Sequence, residues 1–128
     1  MNFRIFDKVC GWYLDKTFVL GQDGQIIHLI DQQACGWAIE YLDPRNFIVE
    51  PWTGYLDING RKIFRGDILG AEDWRGGKQL YSGEVIWYEG TFWIQDALSD
   101  LKMHIDGEIR AWKRAFVKGN IHGVEYNP

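Results

Sequence analysis

The sequence TGYLDINGRKIFRGDIL, residues 53–69, contains two turn motifs separated by a short apolar segment. Asp57 and Gly60 are the first and fourth residues of Asp-Ile-Asn-Gly, where a carboxylate can accept backbone hydrogen bonds and glycine tolerates a positive φ. This pattern predicts a hairpin whose type I turn is followed by a G1 bulge, which would pair Asp57 with Arg61. A two-residue Asn-Gly type I′ turn is the alternative, and it would pair Asp57 with Lys62. We favour the bulge because it explains the aspartate.

A second turn follows at Gly66 and Asp67, just before the aliphatic residues Ile68 and Leu69. An aspartate here could act as a general base or a metal ligand, but that role requires a second acid or a histidine within hydrogen-bonding distance. A cap on the backbone amides of a tight turn is the better interpretation of Asp67, because short carboxylates commonly bond the nearby backbone. We therefore assign structural roles in turns to Asp57, Asn59, Gly60, Gly66 and Asp67.

Strand patterns lie on both sides of this stretch. Residues 3–7 alternate and residues 25–30 are rich in β-branched side chains, as strands are. Residues 83–88 and 91–95 read as a second hairpin, joined at Glu89-Gly90. Strands and turns that recur at short spacing are typical of an antiparallel sheet or small barrel. The predicted fold is mainly β, with antiparallel hairpins forming a small SH3-like or irregular barrel, an N-terminal β-meander and one or two short helices.

Two segments have helical spacing instead. In residues 31–42, apolar side chains recur at helical intervals although Gly36 weakens the pattern, and we predict a short helix there. Residues 98–118 have a more regular pattern, with apolar side chains on one side and cations on another, and Gly119 would end that helix. Residues 117–122 also read as a closing strand, so the boundary between helix and strand stays open.

The length and composition describe a globular chain. At 128 residues and 46% hydrophobic residues it is long enough to bury a core, and we predict one domain over residues 1–128. Within it, we expect a β-rich lobe at 1–50 and a hairpin or barrel lobe at 51–128. No apolar run reaches the roughly 18 residues of a membrane span, and residues 1–8 lack a signal-peptide pattern. The expected location is the cytoplasm.

The 53–69 stretch resembles the YopX family of phage and prophage proteins, in which Thr-Gly, Asp-x-Asn-Gly, Ile-aromatic and Gly-Asp-Ile follow at fixed spacing. The matching positions are Thr53, Gly54, Asp57, Asn59, Gly60, Ile63, Phe64, Gly66, Asp67 and Ile68. Phe3-Arg4 and Asp7-Lys8 are similar to the family's opening, and residues 119–122 are similar to its closing Gly-Asn-Ile segment. The resemblance therefore spans the chain in the same order, with departures such as Ile5-Phe6 in place of Ala-Trp.

The resemblance implies a β-rich protein that is carried by a phage or an integrated element and acts in the cytoplasm of the bacterial host. It transfers no catalytic residues, because the shared positions are turn glycines, turn acids and core aliphatic residues. The residues themselves agree, since His28, His104 and His122 lack the close partners of a metal site and no nucleophile elbow or phosphate loop is present. We predict no catalytic residue, no metal and no cofactor. The sequence does not decide whether the chain is an enzyme, and it favours a non-catalytic role.

A surface for a partner is the remaining prediction. Cations and exposed tryptophans near the C-terminal half give the candidate binding surface Trp74, Arg110, Trp112, Lys113, Arg114 and Lys118. An accessory module that binds a protein partner is the favoured function, with a homo-oligomer as one form of it and no membrane partner. The alternative is a nucleic-acid-binding module that uses an SH3-like barrel and the basic helix face. The net charge of -4 means that a polyanion could be held only by cations gathered on one face.

Overall fold

The computed structural model describes residues 2–15, 18–31, 36–72, 80–99, 101–104 and 115–126. Its strands are β1 (Phe3–Asp7), β2 (Trp12–Tyr13), β3 (Phe18–Leu20), β4 (Ile26–Asp31), β5 (Trp37–Leu42), β6 (Phe47–Leu56), β7 (Lys62–Phe64), β8 (Asp67–Glu72), β9 (Leu80–Tyr88), β10 (Thr91–Asp96), β11 (Lys102–His104) and β12 (Phe116–Asn120). Short 3₁₀ turns occur at Gln22–Gly24 and Pro44–Asn46. The chain divides into a small unit, Ile5–Val49, and a large unit, Met1–Arg4 with Glu50–Pro128.

The strands form three sheets. A three-stranded sheet in the small unit has the order β3-β4-β5, and a five-stranded sheet in the large unit has the order β11-β10-β9-β8-β12. A four-stranded sheet has the order β2-β1-β6-β7. The strand pairs of known register are antiparallel, from β1 with β2 to β8 with β9. The prediction of a mainly β, antiparallel and barrel-like fold is confirmed.

The core of the large unit lies on one face of the five-stranded sheet. Leu69, Val85 and Ile94 come from three neighbouring strands and are at most 1% exposed. They are buried because alternate residues of a strand point to the same face, so one apolar residue in two suffices to build a core. Ile63 of β7, Ala71 of β8 and Ala115 complete the cluster.

The second predicted hairpin is present in this sheet. Tyr88 pairs with Thr91 and the register continues to Gly83 opposite Asp96. Glu89 and Gly90 both have positive φ, 49° and 81°, as the two central residues of a type I′ turn require.

Both helix predictions are wrong where the structure describes the chain. Residues 37–42 of the predicted helix 31–42 form β5, which pairs with β4 over its whole length. In the predicted helix 98–118, residues 102–104 form β11 and residues 116–118 begin β12. The closing strand over 117–122 was therefore the better interpretation. Residues 32–35, 100 and 105–114 of these two segments lie outside the described residues.

Candidate functional site

The Asp57–Gly60 turn has the predicted geometry. The Gly60 amide donates to the Asp57 carbonyl at 3.0 Å, the Asp57 amide donates to the Arg61 carbonyl at 2.8 Å, and Gly60 has a φ of +79°. This is the type I turn with a G1 bulge that pairs Asp57 with Arg61, and the type I′ alternative is wrong. The Asp57 carboxylate caps the turn by accepting from the amides of Asn59 at 2.9 Å and Arg61 at 2.8 Å.

The same carboxylate also reaches a distant strand. Its second oxygen accepts from the Val117 amide of β12 at 2.9 Å, and the Ile58 amide donates to the Ala115 carbonyl at 3.0 Å. β12 is the last strand of the five-stranded sheet, so its outer edge would otherwise present an unpaired amide at Val117. Asp57 therefore both forms the hairpin and attaches it to the sheet edge.

The turn at Gly66-Asp67 is built around buried charge. Asp67 is 1% exposed, and its Oδ2 accepts from the Phe64 amide at 2.8 Å, which confirms the predicted backbone cap. Gly66 has a φ of +88°, and a Cβ on it would collide with the carboxylate of Glu50. Glycine is required here for two reasons, since the position excludes a side chain both by backbone conformation and by space.

Arg4 joins this turn to a second carboxylate. Its Nη2 lies 2.7 Å from Asp67 Oδ1, and its Nε donates to Glu50 Oε1 at 2.9 Å, with all three side chains at most 2% exposed. The guanidinium also lies over the ring of Phe64, 4.8 Å from its centroid, and over the ring of Tyr126 at 5.1 Å. Aromatic faces and carboxylates together replace the water that Arg4 loses on burial.

His122 completes this group from the C-terminal side. Its Nε2 lies 3.0 Å from Glu50 Oε2, and its amide donates to the side-chain oxygen of Asn120 at 3.0 Å. Asn120 in turn donates to the Val124 carbonyl at 2.6 Å, which orders the segment after β12. We call Arg4, Glu50, Asp67 and His122 the buried charge cluster.

Burial governs the electrostatics of this cluster. Desolvation raises the pKa of Asp67 above its ordinary value of 3.8, and the positive charge of Arg4 and the Phe64 amide oppose that rise. Desolvation likewise raises the pKa of Tyr126, which faces Arg4. Arg4 therefore offsets part of the cost of burying the Asp67 carboxylate, because ionised groups in a low-dielectric interior are costly unless paired.

The arrangement of the buried charge cluster suits a structural role better than catalysis. Its polar atoms are directed at one another, and three of its four side chains are almost inaccessible to solvent. Within the described ranges, no three His, Cys, Asp or Glu side chains are grouped so that they could hold a metal ion. In the same part of the chain, no helix is long and apolar enough to cross a bilayer.

Sequence reasoning predicted the backbone contact of Asp67 but missed its charged partner Arg4. Arg4 and His122 lie in segments that resemble the family's opening and closing segments, and Glu50 is the one acid in the otherwise apolar segment 47–50. An acid or arginine at a core position of a strand is a signal for a buried ion pair, because such residues are seldom buried alone.

The predicted binding surface falls largely outside the described residues. Trp74, Arg110, Trp112, Lys113 and Arg114 lie there, and only Lys118 of the six candidates is described. Lys118 is exposed on β12, and its aliphatic stem lies against Gly70 of β8. It borders an open groove of about 380 Å³ with Arg61 and Glu125. The charges along this groove are mixed, so this part of the surface does not have the uniform positive charge that favours a polyanion.

The small unit presents a different feature, an apolar sheet surface that is exposed to solvent. Val19 pairs with Ile27, Ile27 with Tyr41, and Leu29 with Ile39, so the five side chains lie on one face of the three-stranded sheet. Tyr41 is 66% exposed, Ile39 59% and Val19 42%, and Ile27 and Leu29 are partly buried. We call Val19, Ile27, Leu29, Ile39 and Tyr41 the apolar face.

The opposite face of that sheet contains the buried side chains Phe18 and Ile26, together with the pair His28 and Glu40. Phe18, His28 and Glu40 are in register across the three strands, with the His28 Nδ1 3.1 Å from a Glu40 oxygen and Phe18 only 5% exposed. An antiparallel sheet with one solvated face normally turns its polar residues to water. Here apolar side chains are exposed on one face, although Leu20 and Glu40 of the opposite face are exposed as well. An exposed apolar surface is the arrangement expected where another molecule covers it.

Comparisons with known proteins agree with the motif evidence. A family model described as YopX protein matches residues 2–124, which confirms the resemblance predicted from the motifs. Among solved structures, the chain is similar to the crystal structure of protein EF1440 from Enterococcus faecalis, with 22% identity, a TM-score of 0.58, and coverage of 95% of this chain and 93% of that chain. At this identity the likeness concerns the fold alone. No match is found among curated proteins.

Proposed function

The chain belongs to the YopX family, and we propose that it is a non-catalytic accessory module that binds a protein partner through the apolar face of its small unit. The observation that carries the proposal is the exposure of Ile39 and Tyr41 on a sheet surface formed by apolar side chains. Solvent exposure of such a surface costs free energy in the isolated chain, and a partner that covers it recovers that free energy. The proposed setting is the one that the family implies, a phage or prophage protein acting in the cytoplasm of the bacterial host.

The buried charge cluster supports the non-catalytic part of the proposal. The acids and the histidine that could have formed a reactive centre are engaged with Arg4 and with one another inside the large unit. A general acid or base must reach the substrate within hydrogen-bonding distance, which a side chain that is 1% or 2% exposed does not do in this conformation.

The test is capture of partners from host cells by the full chain. We expect a protein that co-purifies with the wild type and is lost from the double variant Ile39→Ser, Tyr41→Ser. Leu98→Ser is the matched control, because Leu98 is an apolar residue of the large unit and is 97% exposed. Equal capture by the double variant, with its circular dichroism and melting temperature unchanged, would refute the proposal.

A nuclease arm of the same experiment addresses the nucleic-acid alternative. If the captured material is nucleic acid that disappears on nuclease treatment, and no protein depends on Ile39 and Tyr41, the chain is a nucleic-acid-binding module instead. That alternative stays a prediction from the basic residues Arg110, Lys113, Arg114 and Lys118.

A further inference from the structure

We propose that a groove on the five-stranded sheet binds an arginine side chain of a partner protein, with Glu84 and Gln95 as the two groups that hold its guanidinium. The groove lies in the large unit and shares no residue with the apolar face, so this site is additional to the proposed function. The groove's position, its charge and its unused hydrogen-bonding groups support the assignment.

The groove is built on a row of residues that crosses three strands. Ile68 of β8 pairs with Glu84 of β9, and Glu84 pairs with Gln95 of β10. Each of the three is the chain neighbour of a residue in the large unit's core, so their side chains point to the opposite face of the sheet. The groove has a volume of about 470 Å³, within the range of about 300–1,000 Å³ that ligand sites occupy.

Two polar groups of this row are unused within the described part of the chain. Neither the Glu84 carboxylate nor the Gln95 amide makes a hydrogen bond or an ion pair there, although both side chains are partly buried. Directly opposite residues of an antiparallel pair have Cβ atoms about 4.5–5.5 Å apart, so the two groups can reach the same ligand. Polar groups that are partly withdrawn from water gain from a ligand that pairs with them.

The charge of the groove selects a cation. Glu84 and Asp96 are acidic, and no lysine or arginine is among the described residues that line the groove. Lys102 is in register with Gln95 on the next strand, but its ammonium lies over the Tyr88 ring, 4.8 Å from the centroid. One oxygen of Asp96 already accepts a backbone amide at 2.9 Å, which makes Glu84 the carboxylate with both oxygens available to a ligand.

Paired acceptors favour a guanidinium over an ammonium. A guanidinium is planar and carries five N–H donors in a fixed fork, so it can donate to the Glu84 carboxylate and to the Gln95 side-chain oxygen at once. The aliphatic stem of the arginine lies on Ile68, which is the apolar member of the row. Leu98 at the rim is 97% exposed and is assigned none of these contacts, so Leu98→Ser remains a control for the apolar face.

The test is a nuclear magnetic resonance titration of the isotope-labelled full chain with the capped peptide acetyl-Gly-Arg-Gly-amide, at low salt and neutral pH. We expect saturable shifts of the backbone amides of residues 82–84 and 95–99, with a Kd in the millimolar range. Glu84→Gln should weaken binding by about tenfold or more. Glu89→Gln is the matched control, because it removes the same charge from the exposed turn of the same hairpin and should bind as the wild type does.

Three further ligands test the choice of arginine on the wild-type chain. The peptide with citrulline in place of arginine keeps the shape without the charge and should not bind. This measurement needs no variant, so it decides the question even if Glu84→Gln does not fold. The peptide with lysine should bind several-fold more weakly than the arginine peptide, because an ammonium does not supply the planar fork. Free arginine should bind no more tightly than the capped peptide.

Each of the opposite outcomes overturns the inference. Shifts that are spread over the acidic residues and are equal in Glu84→Gln and Glu89→Gln would show unspecific counter-ion binding. Equal binding of the citrulline or lysine peptide would show that a guanidinium is not selected, and tighter binding of free arginine would assign the groove to a free amino acid. Calcium ions that shift the same amides and displace the peptide would assign it to a metal. Shifts that do not saturate at tens of millimolar peptide would remove the site.

Discussion

Replacing Arg4 with methionine tests the buried charge cluster directly. The substitution keeps an unbranched side chain of similar length but removes the guanidinium that lies 2.9 Å from Glu50 and 2.7 Å from Asp67. Two carboxylates that are at most 2% exposed then lose their shared cation. Breaking a buried ion pair from one side costs about 3–5 kcal/mol, a large part of the roughly 6–19 kcal/mol expected for a chain of this length.

The pH dependence of that loss gives a second, independent measurement. The pKa of Asp67 is already raised above 3.8 by burial, and Arg4 is the largest influence opposing that rise. A folded-state pKa above the unfolded value means that the folded chain binds more protons, so this group's contribution to stability is full below about pH 4 and is lost as the pH rises through the folded pKa. Removing Arg4 raises that pKa further. Arg4→Met should therefore lose less stability at pH 5 than at pH 7.5.

Urea unfolding at the two pH values, followed by both tryptophan fluorescence and circular dichroism, measures the free energy of unfolding. Two probes are needed because a chain with two units can unfold in two steps. Arg45→Met is the matched control, since the Arg45–Asp43 pair is exposed to solvent and its loss should leave the free energy of unfolding unchanged within error. If Arg4→Met behaves like Arg45→Met, or its deficit is the same at both pH values, the buried charge cluster does not carry the stability assigned to it here.

The remaining predictions concern the two turns and the second acid of the cluster. Gly60→Val should lower the free energy of unfolding by about 1–3 kcal/mol in thermal melts, because it forces a positive φ on a β-branched residue although space is open around it. Gly66→Ala should cost more than Gly60→Ala in urea unfolding, because its Cβ also collides with the Glu50 carboxylate; equal costs would contradict that contact. Asp67→Asn should cost less than Arg4→Met and should flatten the dependence of stability on pH between about 4 and 7, because it leaves Arg4 balanced by Glu50 and removes the titrating group. If Asp67→Asn lowers the free energy of unfolding but leaves its dependence on pH unchanged, a group other than Asp67 titrates in this pH range.

Local patterns were the most predictable part of this fold. The Asp57 turn could be derived in full, bulge included, because the groups that decide it lie within four residues of one another. The Glu89-Gly90 turn was predictable for the same reason, since glycine and its neighbour supply the positive φ that a tight hairpin requires.

The errors arose where a strand depends on a remote partner. Residues 37–42 read as WAIEYL, which fits a helical interval at Ala38 and Tyr41 but is also a short apolar run interrupted only by Glu40, as a buried strand can be. Pairing with β4 decided in favour of the strand, and a short sequence window does not contain that information. Phe116 was misassigned likewise and Val117 was left open between helix and strand, because their strand is specified by β8 and by Asp57, about 45 to 60 residues away along the chain.

The buried charge cluster could not be derived from spacing, because its members are distant in sequence. Arg4 and Glu50 are 46 residues apart, and Glu50 and His122 are 72 apart. The segments that carry the family resemblance nevertheless supply most of the cluster, with Arg4 from the opening, Asp67 from the Gly-Asp turn and His122 from the closing segment. The three segments that carry the family resemblance are therefore separated along the chain but contribute to one buried cluster in the folded protein.

The residues that carry the family resemblance serve the fold, and this limits what the resemblance says about function. Gly60 and Gly66 provide the positive φ that the two turns require, and Arg4 and Asp67 form a buried ion pair. All four residues lie in the large unit. The apolar face belongs to the small unit and shares none of these positions, so its side chains can change without disturbing the turns or the buried charges. Two chains could keep the same motif and fold while binding different partners, because specificity then depends on side chains such as Ile39 and Tyr41 that the motif does not include. Exchanging the apolar face between two such chains should transfer partner choice and leave stability unchanged, whereas replacing Arg4 with methionine in either chain should lower stability and leave partner choice unchanged.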